Sequence, residues 1–218
     1  AQEITWQSVC SFDALCAFSM REEDPEGASR PFDADRDGLV PSGGAAALVL
    51  EDRERALARG ATILGELLAY AFSSDGSHIA VPNGDGIRRC MSEALDRAGV
   101  AANSIGYVNA HGTGTPVGDA VEAEAISAVF GSSTPWVSSI KSQTGHEMWM
   151  SGASQLVYTL LAAQRGFIPG NRNFEEPDER TAGIRVACEV VRTAPELVLF
   201  NAAGFGGTNS CLVLRVGR

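Results

Sequence analysis

No two cysteines in this 218-residue chain stand in a C-x-x-C arrangement, and an odd total of five forms no even disulfide framework. A reducing, cytoplasmic protein with mostly buried thiols is the expectation. Long apolar runs are also missing. The most apolar windows, Ala45–Leu50 and Val157–Ala163, fall far short of the ~20 residues a membrane span needs. No basic region followed by an apolar stretch opens the chain, so no signal peptide is read. A formal net charge of −10 lacks the basic footprint of general nucleic-acid binding. Two arginine groups, Arg53/Arg55/Arg59 and Arg88/Arg89/Arg97, read as solvated helix faces. Metal-ligand spacing is absent around His111 and His146. Asp33, Asp35, Asp37 and Gly38 imitate the start of a calcium loop, but its twelfth position is Gly44 rather than Glu. That stretch reads as a structural loop held by Asp/Arg pairing. Repeats and Gly/Ser linkers are absent too.

What is present alternates between strand-like and helix-like runs, the pattern of an α/β protein with a mixed sheet. Short helices are expected over Asp13–Met20 and Asp52–Arg59, and longer ones over Ile87–Ala98, Ala120–Val129 and Ser151–Arg165. Gly60, Gly99 and Gly166 supply stop signals. Strands are expected over Gly43–Glu51, Ile63–Ser73, Ser104–Asn109, Trp136–Ile140, Leu197–Asn201 and Ser210–Val216. Lys141–His146 and the glycine-rich Ala202–Asn209 read as loops.

Chemistry concentrates in three of these junctions. Tyr107-Val-Asn-Ala-His111 runs as a strand into the loop Gly112-Thr-Gly-Thr-Pro116, and ligands in open α/β sheets bind beyond the carboxyl ends of strands. Ser138-Ser-Ile-Lys-Ser-Gln-Thr-Gly-His146 repeats the arrangement. There His146 is expected at a helix N-terminus, where the dipole favours neutral imidazole. A neutral ring can donate a hydrogen bond to a developing oxyanion or accept a proton. Asn201-Ala-Ala-Gly-Phe-Gly-Gly-Thr-Asn209 is a loop of the kind that presents backbone N–H groups.

These blocks, Asn109–Asp119, Ile140–His146 and Gly204–Asn209, resemble three signatures of the β-ketoacyl-acyl carrier protein synthases, in family order. Arg30–Gly38 and Leu57–Gly60 resemble further family segments. The resemblance implies a thiolase-like α/β fold, with residues 1–60 as the tail of the first half and 61–218 as the second half. It implies decarboxylative condensation of an acyl thioester with malonyl-acyl carrier protein. No cofactor beyond the carrier's phosphopantetheine is implied. His111 and His146 would be the catalytic histidines, and Lys141 would support His146 with Glu122 as its partner. Thr113 and Thr115 would bind the pantetheine arm. Ala203, Gly204, Phe205 and Gly206 would lie near the nucleophile.

Several features depart from the family pattern. The family's nucleophilic cysteine belongs to the first half, and none of Cys10, Cys16, Cys90, Cys188 or Cys211 falls in its motif. The expectation is a cleaved, split or truncated protein whose N-terminal half is a separate chain. The acyl carrier protein is a second expected partner, within a homodimer or a heterodimer of ketosynthase subunits. Ala203 stands where the family usually has Phe, and Trp149 and Met150 stand where it has small residues. The lost ring would open a gate or enlarge the acyl channel near the nucleophile, and the two changes read either as compensating repacking of the core or as a changed substrate. A polyketide or polyene ketosynthase and a non-catalytic chain-length-factor-like subunit are the competing readings. The two retained histidines weigh against the second. A thiolase would need a cysteine in this half within a Cys-x-Gly motif, and no such motif occurs.

Overall fold

A computed structural model describes residues 1–217. Six strands form one mixed sheet in the order β1-β6-β5-β2-β3-β4. They are β1 (Gly65–Ser74), β2 (Tyr107–Asn109), β3 (Trp136–Ser138), β4 (Arg185–Val186), β5 (Leu197–Gly204) and β6 (Thr208–Val216). β1, β6 and β5 are antiparallel, whereas β5, β2, β3 and β4 run parallel. The expected α/β architecture with a mixed sheet is therefore present.

Alternation along β5 explains the layering. Leu197 and Leu199 join a core with Ile87, Met91 and Ala94 of helix α3 (Gly84–Ala98) and Ile126 of α4 (Pro116–Phe130). Val198 and Phe200 point to the opposite face, against Leu156, Leu160 and Ala163 of α6 (Ser151–Gln164). Period-2 exposure along one strand thus feeds two helical layers. α3 ends at Gly99, which adopts the left-handed conformation that the stop signal anticipates. On its inner side α6 is more polar than its sequence suggests, since Ser151, Ser154, Gln155 and Thr159 are all buried.

Several sequence expectations need correction. The first helix, α1, is Trp6–Asp13, so only the first residue of the expected Asp13–Met20 helix is helical and residues 14–20 are irregular. Thr5 caps α1 reciprocally with Ser8, a local signal stronger than the helix formers that follow. Helix α2 spans Arg53–Ala58 with Asp52 as its cap. Lys141–Thr144 is a one-turn helix, α5, and not an open loop. β5 and β6 extend through the expected glycine loop, leaving only Phe205-Gly206-Gly207 as the turn. Gly43–Glu51 forms no strand: Val49 and Leu50 are 92% and 73% exposed. A buried strand needs neighbours on both sides, and nothing in residues 1–217 pairs with this run beyond a bridge between Gly44 and Gln2. Thiols divide as well: Cys90 and Cys211 are buried, but Cys10, Cys16 and Cys188 are exposed. The arginine groups do read as solvated faces, with Arg59 on Glu51 and Arg97 on Glu93.

Candidate active site

The carboxyl ends of β2, β3 and β5 meet at one edge of the sheet, and the three signature loops converge there. His111 lies two residues past β2, and Lys141 opens α5 just past β3. His146 follows the C-terminal end of α5. The chain then reaches a short turn, Met148–Met150, before α6 begins. The imidazoles of His111 and His146 sit edge to face, with centroids 5.5 Å apart and planes at 84°.

The His111 loop is held by buried carboxylates. Glu122, on the inner face of α4, accepts the main-chain N–H groups of His111 and Gly112 at 2.8 and 2.7 Å. Asn201 Nδ2 donates to the same carboxylate at 3.1 Å. Asp119, one turn earlier, accepts the N–H groups of Thr113, Gly114 and Phe32. Gly112 has φ +25°, and a Cβ there would come within 2.8 Å of the Phe32 ring and 2.9 Å of Ser139 Cβ. This position therefore demands glycine, for close approach as well as for backbone angle.

Lys141 is the only lysine in the chain. It is buried, and its Nζ donates to the carbonyl of His111 at 2.6 Å. The expected direct pair with Glu122 does not form, because both groups reach for the His111–Gly112 backbone from different sides. Burial lowers the lysine to about 8, against the raising influence of Glu122, Asp119 and Glu147. Burial likewise raises Glu122, opposed by the hydrogen bonds from Gly112, His111 and Asn201.

Both imidazoles are held neutral. Burial lowers His146 to about 3, helped by the charge of Lys141. For His111 burial acts first, then Lys141 and His146, and the ring lies well below the ordinary histidine range. His146 precedes the turn Met148–Met150 that runs into α6, so it does stand ahead of a helix, although burial and Lys141 are the causes that lower its pKa. The ring's orientation is fixed by the main chain. Met148 N–H donates to His146 Nδ1 at 2.9 Å, so Nε2 carries the proton and faces away from that bond. Residues 40–42 clamp the same loop: His146 N–H donates to the Val40 carbonyl at 2.7 Å, and Ser42 N–H to the His146 carbonyl at 2.9 Å. His111 Nδ1 is buried without a hydrogen-bond partner. The arrangement offers one oriented N–H donor beside a second neutral imidazole, in a buried site where such bonds are stronger than in water.

Other sequence candidates fall around this centre. Thr113 is buried, and its hydroxyl pairs with that of Thr115 at 3.0 Å. Ala203 and Gly204 end β5, and Phe205 and Gly206 form the exposed turn beyond it. None of the five cysteines hydrogen-bonds to either imidazole among the described residues. Trp149 does not repack the core: it is 76% exposed, while Met150 is buried. Asp33 belongs to a structural loop, paired with Arg30 at 2.8 Å, and Arg36 pairs with Asp178 at 2.8 Å.

Sequence reading missed Asp119, Asn201 and Glu147 as site residues. Asp119 carried a signal: an aspartate in the first helical turn after a glycine-rich loop is placed to accept that loop's N–H groups. Glu147 is buried beside His146, with its carboxylate on the Ser154 hydroxyl. Asn201 reaches Glu122 across 79 positions, which no local pattern discloses.

A family model described as Beta-ketoacyl synthase, C-terminal domain, matches residues 64–175, and the corresponding N-terminal domain model matches residues 1–56. The chain is 43% identical over 215 residues to 3-oxoacyl-[acyl-carrier-protein] synthase 1 of Escherichia coli (strain K12), covering 98% of this chain and 52% of the relative. The crystal structure of a Beta-ketoacyl synthase from Burkholderia phymatum STM815 superposes with a TM-score of 0.96 at 40% identity, covering 100% of this chain and 53% of that one. A ketosynthase solved with its type II PKS acyl-carrier protein (AntDE:AntF) matches with a TM-score of 0.95 at 31% identity, covering 100% and 55%. The chain thus spans about half the length of the relatives it matches.

Proposed function

From the premise that the chain belongs to the β-ketoacyl synthase family, we propose that it forms the histidine-bearing part of a condensing enzyme's active site. The observation that carries this reading is the pair of neutral imidazoles 5.5 Å apart, one with its proton fixed on Nε2 by a main-chain N–H. In the proposed reaction an acyl group is held as a thioester on a cysteine of the N-terminal half. Malonyl-acyl carrier protein loses carbon dioxide, and the C–C bond electrons pass into an enolate. The enolate carbon attacks the acyl carbonyl, and the cysteine leaves as thiolate.

Negative charge gathers on the malonyl thioester oxygen as carbon dioxide departs. The His146 Nε2–H, joined by His111, is the donor offered to it. Lys141 is assigned the task of holding the His111 carbonyl, and Glu122 that of holding its N–H. Thr113 and Thr115 are assigned to the pantetheine arm, using the hydroxyl capacity their mutual bond leaves free. Ala203, Gly204, Phe205 and Gly206 are assigned to the nucleophile's side of the site. No bound cofactor enters this scheme.

Residues 1–60 would complete the first thiolase-like half and 61–218 make the second. The acyl carrier protein and an N-terminal half carrying the cysteine would be the partners, in a dimeric cytoplasmic enzyme of fatty acid synthesis. A polyketide pathway is the second reading, favoured by the similarity to the AntDE:AntF ketosynthase. A chain-length-factor-like subunit is disfavoured by the intact histidine pair.

The test assembles this chain with a cysteine-bearing N-terminal half and follows carbon dioxide release from malonyl-acyl carrier protein. His146→Ala should reduce release by at least about a hundredfold. Release that stays at the unsubstituted rate refutes the assignment.

A further inference from the structure

Behind the His111 loop two cysteines lie together in the core. Cys90 is on α3, which packs against β6, and Cys211 is on β6 itself. Both are buried, whereas Cys10, Cys16 and Cys188 are exposed. The Cys211 thiol donates to Asn201 Oδ1 at 3.1 Å, and Asn201 Nδ2 donates in turn to Glu122 at 3.1 Å. Glu122 holds the N–H groups of His111 and Gly112. A line of hydrogen bonds therefore runs from this thiol to the backbone of His111.

The two sulfurs are chemically unequal. The Cys90 sulfur is a second acceptor for the Cys211 S–H, and that hydrogen bond holds the Cys90 thiol below the ordinary cysteine value, with burial opposing it and Ser73 assisting. Burial first, and then Cys90, push the Cys211 thiol well above that value. The proton of Cys90 lies toward the Asn209 carbonyl, 3.6 Å away. Ser73 is half-buried on β1, the edge strand of the sheet, so the Cys90 end of the pair is the one nearer water. A thiolate-prone sulfur beside a protonated thiol suits a sequence in which the first is oxidised and the second resolves it.

We propose that Cys90 and Cys211 form a redox-sensitive modification site, and that closing it into a disulfide slackens the hold of Asn201 and Glu122 on the His111 loop. A hydroperoxide, ROOH, transfers its outer oxygen to the Cys90 sulfur. Cys90 becomes the sulfenic acid, and its proton leaves on the alcohol, ROH. The Cys211 sulfur then attacks the Cys90 sulfur. The S–S bond forms, the S–O bond breaks, and the hydroxyl departs with the Cys211 proton as water. Two thiols have given up two electrons, and one peroxide bond has been reduced. Asn201 Oδ1 then has no S–H donor, and its amide is free to turn away from Glu122. The pairing does not depend on which reaction the site performs.

The full chain is treated with hydrogen peroxide, its remaining thiols are alkylated in denaturant, and its peptides are weighed with and without prior reduction. A peptide pair joined through Cys90 and Cys211 is expected, and reduction should separate it. Full alkylation of both residues, or linkage of either to Cys10, Cys16 or Cys188, overturns the pairing. A second measurement follows hydrogen exchange at the His111 and Gly112 amides by NMR. Exchange should be about tenfold faster in the linked chain than in the reduced one. Cys211→Ala, which has no donor, should show a similar rise. Cys211→Ser keeps an O–H for Asn201 and should stay close to the reduced chain. Equal rates in the linked and reduced chains, or a serine variant as fast as the alanine one, overturn the effect on the His111 loop. Neither measurement uses condensation, so both still decide the matter if the condensing-enzyme reading fails.

Discussion

Leu197-Val-Leu-Phe200 and Ala45-Ala-Ala-Leu-Val-Leu50 are short apolar runs of similar hydropathy in different surroundings. The first lies between β2 and β6, with all four side chains buried on alternating faces. The second lies irregularly on the surface with Val49 and Leu50 open to water. Propensity alone gives both the same fate. What separates them is whether hydrogen-bonding neighbours exist, because a strand's backbone groups and both of its faces must be satisfied from outside itself. The same contrast holds around the site. The His111 loop has its N–H groups matched by Glu122 and Asp119, while the Trp149 and Phe205 rings are exposed.

Substitutions can break this comparison. The largest effect is expected from Glu122→Ala, which orphans three buried donors at about 1–3 kcal/mol each. Its loss of unfolding free energy in urea should be on the order of 5 kcal/mol; a loss below about 1 kcal/mol would mean the loop is held by other means. Leu199→Ala in the buried run should cost about 3 kcal/mol by the same measurement. A cost equal to that of a surface change would contradict the burial described here. Acid should produce a graded effect, modest over any single pH unit. The His146 ring titrates at about 3 in the folded chain instead of at 6.5. Below pH 6.5 the unfolded chain therefore takes up a proton that the folded chain refuses. Stability should fall as pH drops from 6.5 toward 3, by at most ~1.4 kcal/mol per pH unit from this ring. His146→Asn should flatten that slope, and an unchanged slope would assign it elsewhere. The smallest effect belongs to Val49→Ser, below about 0.5 kcal/mol in this chain. If an added N-terminal half supplies the missing neighbours, the same substitution should cost as much as a buried one. Urea titration of the assembled pair checks this.

Much of the sheet and the central pair His111/His146 could be read from sequence, because strand-loop-helix junctions are local and glycine and proline mark them. Lys141 was readable for the same reason. Asn201 and Glu122 were not legible as partners, since their contact depends on β5 and α4 meeting across the core. The neutral state of His146 follows from burial first and from Lys141 second, neither of which a local pattern discloses. Its position relative to α5 turns on where that helix ends, at Gly145 with φ +73°, and one turn of helix is too short to be read by periodicity. The misread strand over Gly43–Glu51 has the opposite origin: its local pattern is sound, but among the described residues only a bridge from Gln2 to Gly44 pairs with it.

Met148 has φ +50°, unusual for a residue with a side chain, and from that backbone conformation its N–H reaches His146 Nδ1. The address of the imidazole proton is thus written in the main chain. Exchanging the side chains around it, Trp149 included, leaves that N–H in place as long as the turn keeps its shape. The tautomer is thus a property of the turn's backbone, and it outlasts any exchange of side chains that leaves that backbone where it is.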